Sequence, residues 1–381
     1  MNNLSERSIL LKRHAPKSIG QKFVKAATVF TVIVSVFSFG VASACTSILL
    51  PTTDGSGVYA RTMEFAFELK SNALVIPRQF ELSSTGVDGK TGKKWKAKYA
   101  VVGLNALGVT ALVDGMNEKG LAGGILYFPE LAGYADGRKT DPDKALASWD
   151  VLSWILTNFA TVEEVKASIN NVTVIDVKQA VMGFAPPVHY TIHDATGASL
   201  VIEPIDGKFK LYDNPIGVMT NAPAFDWHMT NLRNYLKISA INASPLKVDG
   251  VTLKPLGQGS GLLGVPGDPT PPSRFVRAAA YSLTAKKQAS GIDSVRLAEH
   301  IINNFDIPKG WIQTNDEANM PLEYTQWSTI TDLKNRKYYI KMYDDQVLRS
   351  IDISAFDLDA KELKRAPLGR QLSPPAVIFA N

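Results

Sequence analysis

The feature that most constrains this chain is the position of its single cysteine. Cys45 is the only cysteine among 381 residues, and it directly follows the small-residue triplet Ala-Ser-Ala at 42–44. A basic segment that ends at Lys25 and an apolar run, residues 26–41, precede the triplet, which is the pattern of a secretory signal and its cleavage site. We therefore predict a signal peptide at residues 1–44 and an exported, periplasmic or secreted protein that begins at Cys45.

A cysteine at the start of a chain has a general base attached to the same residue. A free α-amine titrates near ~7.7 and is partly neutral at physiological pH, so it can accept the proton of a thiol that titrates near ~8.5. This pairing predicts nucleophilic catalysis by an N-terminal cysteine, and we expect an amide hydrolase.

A lipid anchor is the alternative interpretation of the same stretch. Small residues before a cysteine resemble a lipobox, in which Cys45 would carry diacylglycerol and its amine would be acylated. The protein would then be a lipid-anchored, non-catalytic periplasmic binding protein. Ala42 stands where a lipobox usually has leucine, which counts against this alternative.

Charge and hydropathy exclude two other kinds of partner. The net charge is +5, but residues 1–44 hold six basic residues and one glutamate, so the chain after the leader is neutral overall. Without a basic patch, nucleic-acid binding is not expected. No later segment approaches the ~20 apolar residues that span a bilayer, so we expect no stable membrane insertion after cleavage. The remaining 337 residues suit one large domain, residues 45–381.

The segment after the leader predicts a β-hairpin. Residues 45–50 and 58–65 have strand composition, and the turn sequence at 53–57 joins them, so the hairpin carries Arg61 and Glu64 back toward Cys45. Gly123 and Gly124 predict close approach of another part of the chain to a later strand. Further strands are predicted at residues 99–106, 109–114, 121–127, 188–193, 199–203, 208–213, 327–333 and 337–343, the last two as a hairpin that closes the fold.

Helical periodicity is confined to separate blocks. It predicts helices within residues 141–169, over residues 225–238 with Trp227 and Leu236 on the apolar side, from Arg274 onward, and over residues 294–304. The lysine-rich residues 88–98 are predicted to be a loop. Because strand blocks and helix blocks are segregated, the sequence favours a layered α+β fold over a doubly wound parallel sheet.

Seven short motifs follow one another along the chain in a specific order and spacing. They are residues 45–47 (CTS), 61–64 (RTME), 114–121 (DGMNEKGL), 213–221 (DNPIGVMTN), 225–228 (FDWH), 273–279 (SRFVRAA) and 324–327 (YTQW). Together they resemble the choloylglycine hydrolase and penicillin V acylase family of linear amide hydrolases, in its exported Gram-negative type. The resemblance implies the four-layer αββα sandwich of N-terminal-nucleophile hydrolases.

The resemblance also implies a set of catalytic residues. Cys45 would be the nucleophile with its own amine as base, Arg61 would stabilise the thiolate, and Asn221 would donate to the oxyanion. Arg274 matches the family's second catalytic arginine. Glu64 stands where the family usually has aspartate, which is thought to hold the amine. Tyr127 falls at the other oxyanion position.

Several of these residues have ordinary structural interpretations as well. Taken alone, Arg61 would be a surface ion-pair residue at a strand end, Asn221 a turn residue, and Tyr127 a core aromatic. His189 and His193 have the spacing of metal ligands on a helix, but they fall in a strand-like stretch, and we expect no metal and no cofactor. The resemblance implies a small-molecule amide substrate, either penicillin V, an N-acyl homoserine lactone or a conjugated bile salt, and a homotetramer.

Overall fold

The computed structural model describes residues 44–313, 322–369, 373 and 376–377. The predicted signal peptide lies outside the described residues except for Ala44, so that assignment and the domain boundary at Cys45 stay predictions. Within the described ranges, no helix has the length and apolar character needed to cross a membrane.

The described residues form twenty strands and five α-helices. The strands are β1 Thr46–Pro51, β2 Gly57–Phe65, β3 Asn72–Ile76, β4 Glu81–Thr85, β5 Thr91–Lys96, β6 Val101–Asn105, β7 Leu112–Asn117, β8 Ala122–Tyr127, β9 Ala145–Ala147, β10 Thr173–Ile175, β11 Val188–His193, β12 Ser199–Ile205, β13 Lys208–Asp213, β14 Val218–Met219, β15 Leu246–Val248, β16 Val251–Leu253, β17 Tyr324–Asp332, β18 Lys337–Met342, β19 Asp345–Asp352 and β20 Lys364–Pro367. The helices are α1 Val151–Asn158, α2 Val162–Ser168, α3 Phe225–Leu232, α4 Pro271–Thr284 and α5 Ile292–Ile302.

Two large antiparallel sheets dominate the fold. The first has the strand order β14-β1-β2-β17-β18-β19, and the second has the order β13-β12-β11-β8-β7-β6-β3-β20. The sheets face each other, since the Tyr59 hydroxyl on β2 donates to Asp114 Oδ2 on β7 at 2.7 Å. Every residue of β2 and of β8 is buried, so both faces of these central strands are covered.

Helices cover the outer face of each sheet. α4 and α5 pack on β1 of the first sheet, and α1 packs on β7 and β8 of the second. α4 begins with Pro271 and Pro272, which are pre-organised for a first helical turn. Thr161 is the N-cap of α2, and its hydroxyl accepts from the Glu164 amide at 3.2 Å. The predicted αββα arrangement of four layers is therefore confirmed.

Three local expectations were wrong. Residues 91–96 of the expected lysine-rich loop form β5, which pairs with β4. α3 ends at Leu232, and Trp227 and Leu236, expected on its apolar side, are 45% and 81% exposed. The hairpin of β17 and β18 does not close the fold, because β19 and β20 follow it and pair with β18 and β3.

Candidate active site

The β1–β2 hairpin brings Cys45 and Arg61 together, as the sequence predicts. Thr46 pairs with Thr62, so Cys45 lies at the end of β1 next to the second half of β2. Cys45 is 1% exposed, and its Sγ lies 3.9 Å from Met63 Sδ. The thiol therefore points into the interior between the two sheets.

Arg61 is fully buried, so its interpretation as a surface ion-pair residue is wrong. Its Nη1 donates to the Ile125 carbonyl at 2.7 Å and lies 3.9 Å from Asp114 Oδ2. Burial disfavours the guanidinium charge, but the nearby groups, with Cys45 foremost, raise the pKa of Arg61 above its ordinary value. A permanent positive charge thus lies beside the thiol.

Gly124 provides the room that this guanidinium needs. A Cβ at this position would lie 2.7 Å from Arg61 Nη1 and 2.5 Å from Tyr59 Oη, closer than any side chain tolerates. The groups that approach Gly124 are thus the side chains of Tyr59 and Arg61. The close backbone approach predicted for the glycine pair occurs at Gly123, where a Cβ would collide with the Thr191 carbonyl oxygen.

Arg274 links the cysteine to the predicted oxyanion residue. From α4, its Nη1 donates to the Cys45 carbonyl at 2.5 Å and to Thr46 Oγ1 at 2.8 Å. Its Nη2 donates to Asn221 Oδ1 at 2.7 Å. Burial lowers the pKa of Arg274, and these acceptors, together with the Pro269 carbonyl, pair four of its five N–H donors.

Asn221 in turn contacts the segment that contains Tyr127. Its Nδ2 donates to the Tyr127 carbonyl at 2.8 Å, and its own carbonyl lies 2.9 Å from His228 Nε2. The Tyr127 ring packs edge-on against Phe65 and is 8% exposed. Tyr127 is thus both a packed aromatic and a residue that lines the site.

Glu64 lies nearby, in a cluster of hydroxyl groups. Thr325 donates to its Oε1 at 2.6 Å and Thr62 to its Oε2 at 3.0 Å. Burial raises the pKa of Glu64 to about 8, although the two threonines and Arg274 act to lower it. The Thr62 hydroxyl also accepts from the Thr46 amide, so Glu64 is connected to the first strand beside the cysteine.

An apolar cavity opens beside the Cys45 thiol. The space inside it that a water-sized molecule can occupy is about 90 Å³, and the wider pocket is open to solvent. Of the described residues that line it, none carries a charge, and most are aliphatic, aromatic or methionine side chains. Phe65, Val113, Tyr127 and Met182 are among them. Such a cavity suits the apolar part of a ligand whose polar bond lies at the sulfur.

Two carboxylates near the site were not singled out as site residues from the sequence. Asp114 is fully buried and accepts from Tyr338 at 2.5 Å and Thr329 at 3.0 Å, in addition to Tyr59. It belongs to a motif noted in the sequence, but its contact with Arg61 depends on the packing of one sheet on the other. Glu323 precedes the final motif and is 4% exposed.

The histidine pair considered as metal ligands has other contacts. His189 Nε2 lies 2.9 Å from the Thr220 carbonyl, and His193 Nε2 lies 2.9 Å from Thr191 Oγ1. Within the part of the chain that the structure describes, no group of three or more potential ligand residues is close enough together to hold a metal ion.

The comparison with known protein families shows to which family the chain belongs. Residues 45–366 match the model of linear amide C–N hydrolases of the choloylglycine hydrolase family, and the match begins at Cys45. The chain belongs to the choloylglycine hydrolase family. It is therefore a hydrolase of carbon–nitrogen bonds in linear amides, as the resemblance implied.

Relatives and solved structures agree with this assignment. The bile salt hydrolase/transferase of Clostridium perfringens is 34% identical over 337 residues, which are 86% of this chain and 98% of that protein. A crystal structure of conjugated bile acid hydrolase from the same organism has a TM-score of 0.77 at 31% identity and covers 87% of this chain and 99% of its own. Penicillin V acylase from Agrobacterium tumefaciens has a TM-score of 0.68 at 27% identity and covers 86% of this chain and 92% of its own. The chain therefore has the N-terminal-nucleophile αββα fold of these structures.

Proposed function

We propose that the mature protein cleaves a linear amide with Cys45 as an N-terminal nucleophile. The observation that carries the proposal is the direct link from Arg274 to both the Cys45 carbonyl and Asn221 Oδ1. One buried guanidinium thereby holds the residue with the thiol and the residue with the amide donor in fixed relative positions. The start of the family match at Cys45 supports the same role.

The mechanism uses the amine that cleavage before Cys45 would release. The neutral amine takes the thiol proton, and Sγ attacks the carbonyl carbon of the substrate amide. Asn221 Nδ2 donates one of its two hydrogens to the Tyr127 carbonyl. The second hydrogen is available to the oxyanion, together with a backbone N–H near Tyr127. The charge of Arg61, which interacts with Cys45, stabilises the thiolate.

Collapse of the tetrahedral intermediate completes the cycle. The ammonium of Cys45 donates its proton to the leaving nitrogen as the C–N bond breaks, which releases the amine product and leaves a thioester on Sγ. Water then adds to the thioester carbonyl, the C–S bond breaks, and the carboxylic acid and the free thiol are formed. No cofactor takes part in either half of this scheme.

The cavity supports an apolar acyl group on the substrate. Its lining beside Cys45 has no charged side chain among the described residues, and its few polar groups include Gln179. The Gln179 Oε1 already accepts from the Val181 and Met182 amides. We therefore propose that the acyl half of penicillin V, an acyl homoserine lactone or a bile salt lies in the cavity and that the amine half lies outside it.

Processing is the first point to test. The protein is produced in a bacterial host with a working export pathway, and its intact mass and N-terminal sequence are determined. A chain that begins at unmodified Cys45 supports the proposal, whereas a diacylated cysteine supports the lipid-anchored binding protein. The burial of Cys45, with its thiol directed inward, favours the nucleophile.

Activity is tested with one preparation and three substrates. Hydrolysis rates of glycocholate, penicillin V and a long-chain acyl homoserine lactone rank the substrate classes, and Cys45→Ser is the matched inactive control. We expect the serine variant to fold and to lose most activity. An unchanged turnover of Cys45→Ser would contradict the thiol nucleophile.

We also propose that the protein forms the homotetramer that its family resemblance implies. The β15–β16 hairpin exposes an apolar surface that a monomer would leave in water. Its exposed apolar side chains are Leu246, Val248, Val251 and Leu253. Light scattering during size-exclusion chromatography gives the mass in solution. A monomer at micromolar concentration would refute the tetramer.

A further inference from the structure

Glu323 is a buried carboxylate for which the described residues provide no salt bridge. It is 4% exposed, and neither of its carboxylate oxygens has a donor at full hydrogen-bond geometry, although the Ala44 backbone amide faces the group. A buried carboxylate without donors costs several kcal/mol unless a charge compensates it. It lies just before β17, the strand in which Thr325 pairs with Glu64.

The surroundings of Glu323 are the groups at the start of the mature chain. Its charge interacts with Arg274, and the backbone amide of Ala44 faces it. It also interacts unfavourably with Glu64. Burial raises the pKa of Glu323, while Arg274 and the Ala44 amide act to lower it. The carboxylate is thus directed at the residue that the predicted cleavage removes.

Glu64 and Glu323 differ in the donors that they already have. Both oxygens of Glu64 accept from threonine hydroxyls, at 2.6 and 3.0 Å. The oxygens of Glu323 have no side-chain donor of this kind among the described residues, and the Ala44 backbone amide faces them. Removal of Ala44 takes away the amide that faces Glu323 and creates an ammonium one residue further on, at a Cα spacing of about 3.8 Å.

We propose that Glu323 is a positioning residue that receives the α-ammonium of Cys45 once Ala44 has been removed. The inference rests on the proposed function, because it requires the processed N-terminus. In this role the carboxylate fixes the amine next to Sγ. When the amine is neutral, the carboxylate accepts from an amine N–H and so keeps the nitrogen lone pair directed at the thiol proton. The role that the family resemblance gives to the residue at position 64 is then shared with, or taken over by, Glu323.

The charge balance of the processed site agrees with this assignment. Glu64 on β2 and Glu323 before β17 supply two carboxyl groups, and Arg274 on α4 supplies one guanidinium. Arg61 interacts with Cys45 from the inner face of the sheet, and Asp114 lies opposite it. Two buried carboxyl groups beside one arginine leave one negative charge without a counter-charge. The new ammonium supplies that counter-charge.

The α-amine can be observed directly because Cys45 is the only cysteine. Labelling with ¹⁵N-cysteine gives one amine resonance in the exported, processed protein, and its titration by NMR gives the pKa of the amine without reference to activity. A carboxylate beside an ammonium favours the charged form, so Glu323→Gln should lower this pKa by about one unit or more. Glu323→Asp retains the charge and should restore most of the shift.

A matched control separates this effect from a general change in protein charge. Glu81→Gln removes an exposed carboxylate that pairs with Lys96 on the surface, and it should leave the amine pKa unchanged. In kinetics, Glu323→Gln should lower kcat by roughly tenfold with little change in KM, since a positioned general base contributes about 10²–10⁴ in rate.

The outcomes distinguish the two proposals. An amine pKa that is equal in the wild type and in Glu323→Gln overturns the role of Glu323 and leaves the nucleophile intact. A shifted pKa in a protein that hydrolyses no amide supports the role of Glu323 and refutes the proposed reaction. A protein that retains Ala44, or has a blocked amine, overturns both.

Discussion

The guanidinium of Arg274 and the side-chain amide of Asn221 are joined by a hydrogen bond of 2.7 Å from Nη2 to Oδ1. Because Arg274 is a donor only, this bond fixes which end of the amide is the oxygen. The nitrogen must then point the other way, where it donates to the Tyr127 carbonyl. Arg274 therefore determines that Asn221 presents a donor, and not an acceptor, to the site.

Asn221→Ala should lower kcat by about 10²–10³ with a smaller change in KM, because it removes a donor that acts mainly on the charge developing in the transition state. Steady-state kinetics on the preferred substrate measure the change. Asn234→Ala, on the exposed surface after α3, is the control and should have wild-type kinetics. A loss of less than threefold in Asn221→Ala would exclude Asn221 as an oxyanion donor.

Asp114→Asn should destabilise the protein by about 3–5 kcal/mol, because it leaves the guanidinium of Arg61 buried without its carboxylate. Three hydroxyl donors, from Tyr59, Tyr338 and Thr329, also converge on Asp114. Urea unfolding measures the free energy of unfolding. The control, Asp88→Asn, breaks an exposed pair with Arg138 and should cost no more than about 1 kcal/mol. Equal losses in both variants would contradict the argument.

The sequence predicts those secondary-structure elements that are determined by residues close together in the chain. The β1–β2 hairpin follows from its turn residues, and it alone brings Arg61 back toward Cys45. Strand order was not predicted, because β2 pairs on its other side with β17, more than 250 residues away in the chain. β5 was missed because three lysines in a six-residue strand resemble a loop.

The residues that surround the site are harder to predict than those proposed to carry the chemistry. The positions of Cys45, Arg61 and Asn221 could be taken from short motifs. In the structure Cys45 lines the cavity, and Arg274 connects the Cys45 carbonyl to the Asn221 side chain. The burial of Asp114 and Glu323, and the charges that they face, depend on other elements of the fold. The presence of an aspartate or glutamate in the sequence does not indicate which buried cation the side chain will contact.

Ala111→Leu should reduce activity selectively on substrates with long or bulky acyl groups, because Ala111 is 7% exposed and lines the cavity beside Cys45. Extra methyl groups there occupy space that the acyl group needs, and a change of this size in a pocket alters kcat/KM by about tenfold or more. A series of amides with acyl chains of increasing length measures the effect, with the exposed Ala243→Leu as control. A uniform loss over the series, in a variant with wild-type resistance to urea unfolding, would contradict binding in the cavity.

Acid should destabilise the wild type relative to His193→Gln. Burial lowers the pKa of His193 from 6.5 to about 3, so between these values the unfolded chain binds the extra proton, and stability falls as pH falls. Glu64 and Asp150 have raised pKa values, so their protonation favours the folded protein as pH falls. Because both groups are present in both proteins, the difference in stability between the wild type and His193→Gln isolates the effect of His193. At pH 4.5 this difference should favour the variant by about 2–3 kcal/mol relative to its value at pH 7.5. Urea unfolding at both pH values measures it, with the exposed His300→Gln as control. Parallel loss in the wild type and His193→Gln would show that His193 is not buried in its neutral form.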